Sequence, residues 1–127
     1  MALSKEAILG AQDIVTERVE VPEWSGYCLV RGMTGTERDS FEESIIEFED
    51  HKKGKGTQRT AKTKFANIRA KLVARSVVDE DGKRVFTDAE AEKLGAKSGA
   101  VLDRLFDVAR RLSGMSEQDV EELTKNS

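Results

Sequence analysis

The period of the apolar positions changes near residue 34, and the change divides the chain into two kinds of structure. Between Ile14 and Val21, Val15, Val19 and Val21 alternate imperfectly with Thr16, Arg18 and Glu20, which is the pattern of a half-buried strand. Pro22 ends it or marks an edge. Trp24-Ser25-Gly26 reads as a turn, and Tyr27 to Arg31 as a second extended run, so the two runs are expected to pair as an antiparallel hairpin.

Helical periodicity follows. Thr34-Gly35-Thr36-Glu37 has the spacing of a capping box, in which hydroxyl and carboxylate each satisfy an orphan backbone N–H. Phe41, Ile45 and Phe48 then sit at i, i+4 and i+7, with Ile46 widening the stripe and Glu42, Glu43, Glu47 and Glu49 facing water. The helix is expected to end near Asp50. His51 to Thr60 (HKKGKGTQRT) holds no aliphatic or aromatic residue and two glycines, so 51–60 is expected as a flexible basic loop. Ala61, Phe65, Ile68 and Leu72, with Ala66, Ala70, Val73 and Val77 alongside, mark a central helix. Val77-Val78 and Val85-Phe86 flank Asp79 to Arg84, whose Asp-Gly step suits a tight turn or short hairpin near 77–86.

Thr87 to Glu90 repeats the capping-box spacing and opens a short helix that Gly95 ends at C′. Val101, Leu105, Val108 and Leu112, with Leu102, Phe106 and Ala109 beside them, define an amphipathic helix closed by Gly114. Ser116, with Glu117 and Asp119 in the first turn, starts a last short helix through Val120 and Leu123. The expected fold is therefore α+β but mainly α-helical. It has an N-terminal β-hairpin followed by about four to five helices in a small bundle, in a single domain over 1–127.

Composition bounds what such a fold can do. With 38% hydrophobic and 35% charged residues among 127, the core is thin and the surface heavily charged, but the apolar periodicity argues against wholesale disorder. A net charge of -3 argues against a general nucleic-acid binder, so any basic site must be local. No signal-peptide pattern or long apolar run occurs, and the lone Cys28 has no internal disulfide partner. The chain therefore reads as soluble and cytosolic.

Catalytic groups are sparse. His51 is the only histidine, and Cys28 lies in a strand pattern where a small buried hydrophobe is the commoner role. One Cys and one His cannot hold structural zinc. Asp79-x-Asp81-Gly82 with Glu90 resembles a calcium loop, but Lys83 and Arg84 occupy the fifth and sixth positions, where a ligand and Gly are required. Gly54-Lys55-Gly56-Thr57 lacks the upstream Gly and the preceding strand of a P-loop. No catalytic, cofactor or metal site is expected, and the chain is read as a non-enzyme.

Two features suit binding. Glu37 to Asp50 holds seven acids against Arg38, whereas Lys52, Lys53, Lys55, Arg59, Lys62 and Lys64 follow with no acid among them. That basic run is either a solubilising loop, a segment that orders on a partner or on the next copy of the chain, or a phosphate contact. Trp24, the only tryptophan, stands at the hairpin turn, where it either folds onto the core or anchors an interface. The candidate partner-binding residues are Trp24, Lys52, Lys53, Lys55 and Arg59.

The opening MALSKEAILGAQD, then VEVPEW, VRGMTGTERDSFE, NIRAKLVARSVVDEDGKRVFTDAEAEKLG and LDRLFDVARRLSGMSEQDVEEL together resemble the tail assembly chaperones of siphophages, encoded just upstream of the tape measure gene. The resemblance covers nearly the whole chain and rests on packing, turn and capping motifs. It implies binding and solubilising the tape measure protein, recruiting tail tube subunits, homo-oligomerisation, and action in the host cytoplasm without a place in the mature virion. Family members are often also made as a longer frameshifted form that contacts the tube protein. Thr124-Lys125-Asn126 is compatible with a slippery A-AAA-AAC heptamer, which the gene sequence would decide. The competing reading is a small helical nucleic-acid-associated regulator using 52–64. A toxin–antitoxin or head-completion partner is the third.

Overall fold

The computed structural model of the protein describes residues 1–64 and 66–116. In chain order the elements are α1 (Lys5–Gly10), β1 (Thr16–Val21), a 3-10 turn (Pro22–Trp24), β2 (Gly26–Arg31), α2 (Gly35–Ser44), β3 (Ile46–Lys53) and β4 (Gly56–Thr63). There follow α3 (Ile68–Ser76), β5 (Val77–Val78), a second 3-10 turn (Asp88–Glu90), α4 (Ala91–Leu94) and α5 (Gly99–Leu112).

β1 and β2 form the expected antiparallel hairpin, with Val19 opposite Cys28 and Val21 opposite Gly26. Val19, Val21 and Val30 face inward and are buried. The two-residue β5 adds to β2, pairing Val78 with Leu29 and Val77 with Val30, so the sheet order is β1-β2-β5. The Asp79–Arg84 turn closes with a single bridge between Val78 and Arg84, and Gly82 takes φ +80° there.

α5 and α3 pack against each other, and α5 also covers the inner face of β1 and β2. Val101, Leu105 and Ala109 on α5 and Leu72 and Val73 on α3 have almost no exposed surface. Each large aliphatic side chain fully buried in this way is worth about 1.5–3 kcal/mol relative to exposure. α2 begins at its capping box, Thr34 Oγ1 accepting from Glu37 N–H at 3.1 Å and Glu37 Oε1 from Thr34 N–H at 2.9 Å. It sets Phe41 and Ile45 into the same core.

The end of α5 locks the layers together. Gly114 at φ +72° forms a Schellman cap, with Met115 N–H donating to Arg110 O at 2.9 Å and Gly114 N–H to Arg111 O at 3.1 Å. That turn brings the Ser113 hydroxyl to the buried Met33 N–H at 3.0 Å. Gly32 lies so close that a Cβ there would stand 2.5 Å from Leu112 O. Gly95, expected at a positive-φ C′ position, is instead the C-cap of α4 in right-handed conformation. Its role is close approach, because a Cβ would meet Asn67 Oδ1 at 2.8 Å.

The mainly helical expectation is wrong. The protein is 43% helix and 26% strand, and strands recur through the chain instead of being confined to an N-terminal hairpin. α2 stops at Ser44, and residues expected to complete it and to form the flexible loop 51–60 instead build the antiparallel pair β3–β4, with Asp50 opposite Arg59 and Glu47 opposite Lys62. Ile46-Glu47-Phe48-Glu49 alternates with period two, and this won over the i, i+4, i+7 reading because β4 supplies a strand partner that helix periodicity cannot reveal. The central helix accordingly starts at Ile68 rather than Ala61, which lies in β4. α1, unforeseen, is capped by Ser4 and buries no residue. The expected helix after Ser116, and Phe65 of the central row, lie outside the described residues.

Two serine-to-alanine substitutions should separate in sign. Ser113→Ala strands a buried N–H and is expected to cost about 1–3 kcal/mol. Ser76 is fully buried and its hydroxyl has no hydrogen-bond partner among the described residues, so Ser76→Ala is expected to be neutral or stabilising. Urea unfolding midpoints of the two variants check both.

Candidate functional site

Where the α5–sheet packing stops, beside the β1–β2 turn, the surface opens into an apolar groove. Pro22 fixes the start of the turn, Ser25 takes left-handed φ 59° at its end, and Trp24 is held between them, 36% exposed. A cavity of about 370 Å³ runs from Trp24 and Tyr27 past Val77, Val78 and Val85 to Leu105. A second recess of about 320 Å³ shares Trp24, Phe86 and Leu94 with it and is rimmed by Glu90, Lys93 and Lys97. Tyr27 and Val85 are more than 40% exposed. This size lies in the usual range of ligand or side-chain pockets.

Polar contacts hold the groove open at its edges. Arg104 of α5 donates to both carboxylate oxygens of Glu23, at 2.9 and 2.6 Å. That fork ties the Trp24 turn to the helix, and the Arg104 hydrogen bonds hold the Glu23 carboxyl at about 2. Arg18 stacks over the Tyr27 ring at 3.7 Å, and Tyr27 Oη donates to Glu80 at 3.1 Å. In the floor, burial pushes the Cys28 thiol above its ordinary value, so the sulfur is a neutral, apolar wall and a poor nucleophile.

The second surface is the β3–β4 arm. Residues 47–53 and 56–62 are all exposed, and Phe48 is 58% exposed. Arg59 donates to Asp50 at 3.0 Å and lies over the Phe48 ring at 5.6 Å, while Lys64 pairs with Glu47 at 3.3 Å. Lys52 and Lys53 stand opposite Thr57 and Gly56, and Lys55 sits at the tip beside Gly54, which takes φ +63°.

The candidate residues of the sequence therefore fall in two places. Trp24 lines the groove, whereas Lys52, Lys53, Lys55 and Arg59 belong to the arm. Strand pairing sets the acidic half of β3 against part of the basic block, while the arm tip and the β4 edge stay positive. His51, at 3.1 Å from the Thr60 hydroxyl, is on the arm and Cys28 is in the other sheet. Asp79 Oδ1 accepts from the backbone N–H groups of Asp81 and Lys83 at 2.9 and 3.0 Å, which closes the turn. Sequence reasoning missed Tyr27, Val85 and Phe86 as groove walls. The available signal was the apolar Val85-Phe86 pair placed directly after a turn, where no regular element would bury both.

A family model described as phage tail assembly chaperone matches residues 3–126. No curated protein and no solved structure matches the chain. Among the described residues no helix is long and apolar enough to cross a membrane.

The Glu23–Arg104 fork predicts a pH dependence. A depressed carboxyl contributes stability that is present above its ordinary value of 4.5 and is lost as pH falls toward about 2. A carboxyl NMR titration should place the Glu23 midpoint near 2, returning toward 4.5 in Arg104→Ala. The fluorescence of the single tryptophan should shift to the red in that variant as the turn loosens.

Proposed function

The chain belongs to the phage tail assembly chaperone family, and from that premise we propose that it is a non-enzymatic chaperone that binds the tape measure protein and keeps it soluble until tail tube subunits gather around it. The observation that carries this reading is the open apolar groove at Trp24, Tyr27, Val85 and Phe86, a concave recess built by several elements of the fold. A tape measure protein is a long, apolar helical chain. An amphipathic helix presents large side chains at i, i+3 and i+4, and an apolar groove with an aromatic wall takes such anchors. Contiguous exposed apolar surface of this kind marks an interaction site.

The same reading includes a homo-oligomer acting in the host cytoplasm during siphophage tail assembly and absent from the mature virion. A longer frameshifted product would carry the contact to the tube protein. The net charge of -3 and the pairing of Arg59 with Asp50 and of Lys64 with Glu47 count against a nucleic-acid role for 52–64. A gel-shift assay at low salt gives that reading its own test.

Coexpression with the tape measure protein encoded downstream, followed by pull-down and a solubility comparison, tests the proposal. The tape measure protein is expected in the soluble fraction only with the chaperone. Val85→Glu changes an exposed position, so folding is retained while retention of the tape measure protein should fall about tenfold or more, as should Trp24→Ala. Undiminished retention by both variants rules out the groove as the contact. A wild-type chain that neither solubilises nor captures the tape measure protein ends the chaperone reading.

A further inference from the structure

The β3–β4 arm is a structure without enough support of its own. Its sheet holds two strands among the described residues, and both of its faces are exposed from residue 47 outward. A two-stranded ribbon in water is marginally stable at best, and stability requires further strands or a packing face. Within the ribbon, Lys64 N–H donates to Ile45 O at 2.6 Å. Bonded pairs alternate in an antiparallel ladder, so the next are 47 with 62, 49 with 60, 51 with 58 and 53 with 56. The N–H and C=O groups of Ile46, Phe48, Asp50 and Lys52 therefore point outward along the free edge of β3.

That edge has an ordered charge sequence. Glu47, Glu49 and Asp50 occupy its first half, and His51, Lys52 and Lys53 its second. Inside the arm, Lys52 and Lys53 face uncharged residues, Thr57 and Gly56. A strand whose two halves carry opposite charge is complementary to itself when reversed. Centred on His51, an antiparallel copy sets Glu49 against Lys53 and Asp50 against Lys52. Centred on Asp50, it would set Asp50 against Asp50, so the register centred on His51 is the complementary one. The β4 edge lacks this property, since Arg59 and Lys62 are its charges and no acid accompanies them.

We propose that β3 of one chain pairs antiparallel with β3 of a second copy about a two-fold axis, joining two arms into a four-stranded sheet of order β4-β3-β3-β4. The interface is closed, because each copy offers the same patch. The basic β4 edges are left outside, where like charge opposes further strand addition. This inference deepens the self-association part of the proposed function and rests on it. It does not involve the groove, so the two can fail separately.

The test uses two full-length charge-reversal variants. Lys52→Glu with Lys53→Glu makes the β3 edge wholly acidic except for His51, and Glu49→Lys with Asp50→Lys makes it largely basic. By sedimentation at low salt, the wild type is expected to dimerise. Each variant alone should associate at least about tenfold more weakly, because opposed like charges destabilise a strand pair. An equimolar mixture should form a one-to-one heterodimer.

Lys52→Pro supplies a second variant, since it removes an outward N–H without breaking the internal ladder; it too should be monomeric. Circular dichroism and the urea unfolding midpoint confirm that each variant is folded. A wild type that stays monomeric overturns the proposal. So does an acidic variant that self-associates as tightly as the wild type, the result expected if β3 instead pairs with the basic β4 of a neighbour. Loss of dimer with retained tape measure binding supports the arm interface, whereas a wild type that dimerises through the arm but does not capture the tape measure protein faults the chaperone reading alone.

Discussion

Val101, Leu105 and Ala109 lie along one row of α5 and have no exposed surface. They are packed between α3 and the inner faces of β1 and β2. Removing this apolar surface from water is the dominant favourable term available to a chain with so modest a hydrophobic content. Most other placements follow from it. Gly32 must lack a side chain because the α5 terminus passes directly over it, and Ser113 must reach the Met33 N–H because that group is shut away from solvent. The capping box of α2 and the Schellman turn after Leu112 then orient the connections so that Phe41, Ile45 and Met115 complete the same cluster.

A small core packed around one helix leaves part of its edge uncovered. At the Trp24 end, the sheet is completed by a two-residue strand and the next helix has four residues, so neither is long enough to close over the apolar side chains between them. Glu23 and Arg104 fix the turn against α5, and the result is an ordered recess with apolar walls. A preformed recess binds an apolar segment with less ordering cost than a mobile loop would.

The arm follows a different logic. It contributes little to the core, since β3 buries no residue fully and β4 is exposed through residue 62. Its internal order comes from ladder hydrogen bonds and from cross-strand pairs such as Asp50 with Arg59. Exposed ion pairs of this type are each worth only about 0.2–1 kcal/mol. Groove and arm are thus physically separate, one built from apolar enclosure and the other from an open strand edge, and a single small chain presents both.

The amino-acid sequence by itself determined the parts whose signals are local. Thr34 and Glu37 form their capping box and Thr87 and Glu90 theirs within four residues of chain. The β1–β2 hairpin and the α5 stripe repeat with a period that neighbouring residues establish. The family resemblance was legible for a related reason, since the same cap, turn and packing residues carry it along nearly the whole chain. Tertiary structure alone decided the fate of 45–64. Phe41, Ile45 and Phe48 fit a helix as well as Ile46 and Phe48 fit a strand, and only the pairing of β3 with a weakly apolar β4 across the Gly54-Lys55 turn broke the tie. It also decided the groove, because Trp24 is far in sequence from Val85, Phe86 and Leu94, and a shared cavity depends on which surfaces the core leaves uncovered.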